Sequence, residues 1–276
     1  MNFAEFFPDL RPWVLNLADV WPAPMVQPQF AHWEIWHIVS LFLLGGCIIL
    51  MSLRLIGAGL TSEPPSVIEK NVRPWLAFGV FGVLASGVLI GMANAEKLYD
   101  SPAFLVKMIS LLAAIIFTYA VAVPTAKRDG AVGNAAKVGF AVAMAAWLVS
   151  LWIFSTVPGL TPGVIHVIVA GALVVLAALK GRARWIFAAG LALIVVAHQV
   201  VTHVVISDPY DLARLDPANL WFTRAEALWV VAFAAYQIFA SRNVAAGGAL
   251  TRLVGYSTIL VWVTVAAAGR WIAFAS

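Results

Sequence analysis

The chain has 276 residues, of which 63% are hydrophobic and only 11% are charged, and its mean hydropathy is +0.94. Soluble domains are about 45–50% apolar and about 25% charged, so the composition excludes a soluble globular protein and indicates an integral membrane protein. The net charge of +4 calls for no nucleic-acid partner, because lysines and arginines stand at the ends of apolar runs, as membrane anchors do. The single cysteine, Cys47, excludes a disulfide framework within the chain.

Residues 1–30 precede the first apolar run and contain Phe7, Trp13 and Trp21 among acidic residues and prolines. They have neither a cationic start nor a small-residue cleavage site, so they do not look like a signal peptide. Aromatic side chains favour the headgroup level of a bilayer. We therefore predict an interfacial helix over residues 2–20, followed by an extended stretch, WPAPMVQPQ. A partly disordered tail is the alternative.

Residues 31–276 are predicted to form the transmembrane domain. It contains eight apolar runs, each close to the ~20 residues that cross ~30 Å of hydrocarbon. The predicted spans are residues 31–55, 73–94, 103–124, 133–155, 162–180, 184–206, 220–240 and 251–274. The sequence thus predicts an all-α, polytopic membrane helical bundle of about eight transmembrane helices.

The charges of the loops predict the orientation. One set of loops is basic and carries Arg54, Lys70, Arg73, Lys127, Arg128, Lys137, Lys180, Arg182, Arg184, Arg242 and Arg252. The other set is mostly acidic and carries Glu96, Lys97, Asp100, Asp208, Asp211, Arg214 and Asp216. The positive-inside rule puts the basic loops in the cytoplasm. Both termini are then expected on the outer, periplasmic side of a bacterial inner membrane.

The two halves of the chain, residues 31–156 and 160–276, present similar features in the same order. His37 aligns with His166, and RPWLAFG at the start of the second span aligns with RWIFAAG at the start of the sixth. Each half has an even number of spans, so both halves enter the membrane from the same side. We predict two parallel four-helix repeats. The alternative is that any two runs of four apolar helices share such features.

Most of the unusual polar residues lie in the outer half of the predicted membrane. The candidate metal ligands are four histidines: His37, His166, His198 and His203. Imidazole binds haem iron, copper and zinc, and ionisable residues inside a membrane are functional candidates by default. His32 is interpreted as a water-facing residue. His198 and His203 are five residues apart, about 140° round a helix, so the two are not expected to bind one ion together.

Other residues could complete a haem site. Lys107 and Arg224 begin the third and seventh spans at the depth where cations would meet haem propionates. A flat slot could be lined by Trp33, Trp36, Phe81, Gly45, Gly46, Gly79, Gly82, Gly87 and Gly91. Each residue also has an ordinary structural explanation, because small residues pack membrane helices and terminal cations reach for the interface.

Two segments carry a resemblance to known proteins: WHIVSLFLLGGCIILMSLRLIG and the third-span pattern SPAFLVKMISLLAAI. They resemble an uncharacterised family of bacterial inner-membrane proteins that is distantly similar to CopD-like copper-resistance proteins and to transmembrane b-type cytochromes. The resemblance is clearest over residues 31–125. It implies a helical bundle that holds b-type haem or copper, with His37 as the first-span histidine and Lys107 as the third-span cation. The wider cytochromes have histidines on more spans than this chain.

The leading hypothesis is a membrane redox protein of the cytochrome b type. It would bind haem b and pass electrons between a membrane carrier such as quinol and a redox partner at the outer face. The second hypothesis is copper binding or transport by the same histidines with Met25 and Met92. The third is a non-catalytic assembly protein. No hydrolase triad or phosphate-binding glycine loop occurs in the sequence, and its Trp-rich outer surface suits a homo-oligomer and a monomer alike.

Overall fold

The computed structural model describes residues 1–208, 210–240 and 247–274, and the regular structure in these ranges is helical. The eight long helices of the described residues are α1 (Phe30–Ile56), α2 (Pro65–Ala93), α3 (Pro102–Lys127), α4 (Asn134–Thr156), α5 (Thr161–Ala178), α6 (Gly181–Val205), α7 (Leu212–Ala235, continued by a π-helical turn at Tyr236–Ala240) and α8 (Ala249–Trp271). Arg242, predicted to lie in a basic loop, is outside the described residues.

Seven of these helices, all except α7, are long and apolar enough to cross a membrane. This confirms the prediction of an all-α polytopic membrane bundle. The helix α7 contains the predicted span 220–240 but also begins with polar residues outside it. Its charged side chains, Arg214, Asp216, Arg224 and Glu226, lower the hydropathy of the helix.

The N-terminal segment is helical but broken into short pieces. Its helices include Phe3–Phe6, Arg11–Asn16 and Ala23–Val26, and short 3₁₀ turns lie between them. The prediction of one continuous helix over residues 2–20 is therefore wrong, because several short helices form there. The prediction of an extended WPAPMVQPQ stretch is wrong as well, because helical turns occupy most of it. Pro24 and Pro28 fall in the first turns of these helices, where a fixed φ suits the helix and no hydrogen-bond donor is missed.

Polar contacts dock the N-terminal segment onto the connection between α2 and α3. The Arg11 guanidinium donates to both carboxylate oxygens of Asp100, at 2.9 and 3.1 Å. Asn2 donates to the backbone carbonyl of Asp100, and the Tyr99 hydroxyl donates to the carbonyl of Phe7. The hydrogen bond to Asp100 and the charge of its carboxylate raise the pKa of Arg11 above its ordinary value. The segment therefore lies against the end of the bundle where α2 ends and α3 begins.

The last helix, α8, forms the centre of the bundle and packs against α1, α3 and α5. Two buried indole hydrogen bonds hold it in place. The Trp147 Nε1 on α4 donates to Thr264 Oγ1 on α8 at 3.0 Å, and Trp262 Nε1 on α8 donates to Thr118 Oγ1 on α3 at 2.9 Å. A buried indole N–H needs such a partner. These bonds join the end of the chain to the helices of its first half.

The Trp147–Thr264 bond allows a test of this core. In Thr264→Val, the indole N–H of Trp147 stays buried without its acceptor, so we expect the free energy of unfolding to fall by about 1–3 kcal/mol. Thermal or denaturant unfolding in detergent measures the change. A double-mutant cycle with Trp147→Phe isolates the pair. A coupling energy of zero in that cycle would show that the bond contributes nothing to stability.

The two halves of the chain are packed differently. In the first half, α1 and α2 pack along each other, whereas their counterparts α5 and α6 scarcely touch. The helix α6 packs mainly on α7 instead. The parallel duplication stays a prediction from the sequence. The two helix pairs that it would relate, α1 with α2 and α5 with α6, do not pack in the same way.

The helix α2 begins at Pro65, well before the predicted start at residue 73. The polar and charged groups of its first turns have hydrogen-bond partners, so these turns can be helical. The buried Glu69 accepts a hydrogen bond from Arg73 Nε at 2.7 Å, one helical turn away. Asp129, from the loop after α3, accepts the backbone N–H of Ser66 at 3.0 Å. A carboxylate near a helix N-terminus is favourable.

Asp129 makes the stability of this contact depend on pH. Hydrogen bonds from the side chain and backbone of Ser66 hold the pKa of Asp129 below its ordinary value. The folded state therefore gains stability above the unfolded-state pKa of about 3.9 and loses it as the pH falls through the lower folded-state value. We expect the melting temperature of Asp129→Asn to depend less on pH than that of the wild type between about pH 6 and pH 3. Parallel curves for the two proteins would contradict this role of Asp129.

Candidate functional site

His37 lies about two turns into α1 and faces α2. Its Nδ1 is 2.9 Å from Ser86 Oγ, and the Ser86 hydroxyl donates to the carbonyl of Gly82 one turn earlier. Because a hydroxyl has only one proton to donate, Ser86 Oγ accepts from His37, and the proton of the neutral imidazole is on Nδ1. The Nε2 atom then carries a lone pair, which can bind a metal or accept a hydrogen bond.

Lys107 on α3 lies beside this histidine. The ammonium group is within Coulombic range of the His37 ring. The half-buried Lys107 side chain packs against Gly269 of α8, where an added Cβ would be 3.7 Å from Lys107 Nζ. Across the three described ranges, no carboxylate forms an ion pair with Lys107. The predicted cation and the predicted first-span histidine therefore occupy one site, between α1, α2, α3 and α8.

His166 lies at the rim of the bundle, on the other side of the C-terminal end of α8. It is exposed, and its Nδ1 donates to the Gly163 carbonyl at 3.0 Å, which leaves a lone pair on Nε2. Its ring packs edge-on against Trp271, with 5.8 Å between centroids. Trp271 is two residues from Gly269, the contact of Lys107. The end of α8 therefore separates the two histidines that the sequence aligns.

His198 belongs to a different cluster, between α6 and α7. Its Nδ1 is 3.3 Å from Glu226 Oε1 and its Nε2 is 2.9 Å from Asn219 Oδ1. The ring stacks on Phe222 at 4.9 Å, and the Glu226 carboxylate is buried. Both ring nitrogens have protein partners, so a bond from His198 to a metal would first have to break one of these contacts.

This pairing is not among the predictions from the sequence, although the sequence carries a signal for it. Asn219, Phe222 and Glu226 are three and four residues apart, which puts them on one face of a helix. A helix face that carries an amide, an aromatic ring and a carboxylate is suited to hold an imidazole from a neighbouring helix.

His203 and Arg224 lie apart from both clusters. His203 is exposed, and its Nδ1 is 2.9 Å from Thr202 Oγ1 and 3.2 Å from the Gln199 carbonyl. The exposed Arg224 guanidinium lies 5.3 Å from the centroid of the Trp221 ring. Within the described parts of the chain, no three histidine, cysteine, aspartate or glutamate side chains converge to hold a metal ion.

The residues predicted to line a flat slot have other surroundings. Trp36 and Phe81 are exposed over 61% and 70% of their surface, and Trp33 is half-buried. Gly79 and Gly82 allow α1 to pack closely on α2, since a Cβ on Gly79 would lie 2.9 Å from the backbone nitrogen of Leu44. These two glycines serve contact between helices and do not line a slot. Gly87 is adjacent to the site, because an added Cβ there would be 3.3 Å from His37 Cε1.

The donor set fits part of what a haem requires. The lone pair on His37 Nε2 suits an axial bond to iron, and Lys107 supplies a cation for a propionate. His166 lies across the end of α8, since its ring packs against Trp271 whereas Lys107 packs against Gly269. The chemistry of the donors thus supports one axial ligand at His37.

The first half of the chain has a counterpart among known families. Residues 29–161 match the model of DUF6644, a family of unknown function. The match covers α1 to α4 and includes His37, Ser86 and Lys107, whereas the other three candidate histidines lie beyond it. No curated protein and no solved structure matches the chain. The similarity agrees with the uncharacterised family predicted from the sequence, and the link to CopD-like proteins and b-type cytochromes stays an expectation.

Proposed function

We propose that this protein is a membrane redox protein that binds haem b in the outer half of the bundle, with His37 as an axial ligand. The observation that carries the proposal is the hydrogen bond that His37 Nδ1–H donates to Ser86 Oγ, which leaves the lone pair of the ring on Nε2. Histidines that bind metals usually donate their other ring N–H in this way, which fixes the tautomer and the orientation of the ring.

Lys107 supports the proposal through its charge. A cation inside the hydrocarbon region is costly unless an anion or water accompanies it, and Lys107 has no carboxylate partner in the described chain. A haem propionate would supply that anion by a charge-assisted hydrogen bond. His166 is the next candidate ligand, because its Nε2 is also available.

When bound, haem supplies one-electron chemistry, and the protein sets its potential through the ligands and their burial. The residues of this chain hold the ring of His37, place a cation beside it and surround both with apolar helices. We propose quinol as the electron donor, because it dissolves in the bilayer, and a redox partner at the outer face as the acceptor.

The proposed location is a bacterial inner membrane, with the basic loops in the cytoplasm. Contacts within the bundle support a common basic end. Ser66 at the start of α2 contacts Asp129, and Thr251 Oγ1 at the start of α8 donates to the Gly130 carbonyl at 2.6 Å. The start of α2, the connection after α3 and the start of α8 therefore lie together. By the positive-inside rule this end is cytoplasmic, and His37 and Lys107 then lie toward the outer side.

Chemical analysis of the purified protein tests the proposal against copper binding. We expect haem b, extracted and quantified against protein, with iron in the same amount and no stoichiometric copper. Stoichiometric copper without haem would overturn the proposal and support the copper hypothesis. A protein that contains neither, although it was expressed in haem-replete cells and is folded, would also overturn it.

A further inference from the structure

The cleft between α5 and α6 is an open, apolar groove. The two helices follow each other in the chain, but they scarcely touch, because Leu179 and Lys180 are extended and direct α6 toward α7. The groove has a volume of about 480 Å³ and is lined by Leu173, Leu176, Ala177, Arg184, Trp185 and Ala188. Sites for small molecules are typically about 300–1,000 Å³. The groove is therefore large enough for a ligand, and its apolar side chains Leu173 and Trp185 are exposed.

Arg184 lines one end of this groove, and Lys180 and Arg182 stand next to it in the connection and first turn before it. Lys180 and Arg182 are exposed, and Arg184 is half-buried. The Arg184 Nε donates to the Leu179 carbonyl at 2.7 Å, which keeps the guanidinium at the end of α5. Where the chain is described, none of the three cations forms an ion pair with a carboxylate. The basic end of the groove thus presents three positive charges that the protein leaves unbalanced.

We propose that this groove binds one anionic phospholipid, with an acyl chain between α5 and α6 and the phosphate at Lys180, Arg182 and Arg184. The apolar lining suits the acyl chain, and the cations lie at the end of the helices, where headgroups are found. Basic pockets between membrane helices recognise anionic headgroups in this manner. The inference does not depend on haem binding.

Lipid retention after delipidation tests the charge requirement. Native mass spectrometry of the full chain in detergent would be recorded with phosphatidylglycerol or phosphatidylcholine added. We expect one phosphatidylglycerol to bind, and the double variant Lys180→Gln, Arg182→Gln to bind it at least about tenfold more weakly. The matched control is Lys70→Gln, Lys137→Gln, which removes two exposed lysines of the same face away from the groove. Equal binding of the two lipids, or equal loss in the control, would overturn the proposal.

A second variant tests the groove itself without changing any charge. Ala188→Trp fills the groove, so we expect it to lose phosphatidylglycerol although all three cations remain. Glycerol phosphate, which has no acyl chain, should not compete with the lipid. Full retention of the lipid by Ala188→Trp would overturn the proposal. If the wild type is instead a dimer that Ala188→Trp dissociates, the occupant is a second copy of the chain, and the proposal is again overturned.

Discussion

Alanine in place of His37 is expected to abolish the haem absorbance of the purified protein and leave the helical fold intact. The reason is that His37 Nε2 is the proposed axial donor, and Ala supplies no nitrogen. The measurement is the Soret absorbance per chain, with helix content from circular dichroism. His32→Ala is the matched control, because His32 lies on the same helix, five residues earlier, and is exposed. We expect this control to keep the full absorbance.

Replacement of Ser86, the hydrogen-bond partner of His37, should have a smaller effect on haem binding. Ser86→Ala removes the acceptor for His37 Nδ1–H, and loss of such outer contacts typically weakens metal binding by about 10–100-fold. We expect haem to dissociate faster from Ser86→Ala than from the wild type, with a shifted midpoint potential. Full haem retention by His37→Ala would exclude His37 as the ligand, even if Ser86→Ala loses haem faster than the wild type.

The second large effect is expected at Gly255, where α8 comes close to the backbone of α1. A Cβ on Gly255 would lie 2.8 Å from the Ser52 carbonyl oxygen and 2.7 Å from Ile56 Cγ1. The Ser52 oxygen belongs to the backbone of α1 and cannot move without the helix. We therefore expect Gly255→Val to lower the free energy of unfolding by about 1–3 kcal/mol or more, the usual cost of overpacking.

Gly45 provides the matched control for this prediction. It also lies in a long helix, but an added Cβ there would meet nothing within 4 Å. Alanine favours a helix over glycine by roughly 0.5–1 kcal/mol, so Gly45→Ala should be as stable as the wild type or slightly more stable. Denaturant unfolding in detergent compares the two variants. Equal stabilities for Gly255→Val and Gly45→Ala would contradict the close contact of α8 with α1.

The sequence predicted the features that depend only on the position of a residue along one helix. Apolar runs located the helices, and their ends located His37 and Lys107 at the same depth. The short helices of the N-terminal segment and the early start of α2 were missed, because they depend on prolines in first turns and on the pairing of Glu69 with Arg73. Those effects are local, but they have no signature in the apolar pattern.

The neighbours of each helix could not be predicted in this way. Depth does not determine which helices are adjacent, so the sequence placed the four histidines in one half of the membrane but could not show which of them are neighbours. His37 meets Ser86 because α1 packs along α2, and Lys107 meets Gly269 because α8 returns to the first half of the chain. His198 is bound to Glu226 because α6 packs on α7. These contacts join residues that are far apart in sequence.

Reduction by quinol, followed in the optical spectrum of the purified wild type, tests the central claim most directly. We expect a Soret band in the oxidised protein, and a shifted Soret band with an α-band after a soluble quinol is added. A folded protein from haem-replete cells that shows no Soret band would contradict the claim that it binds haem. A Soret band that quinol leaves unchanged, although dithionite reduces the haem, would contradict electron transfer from quinol.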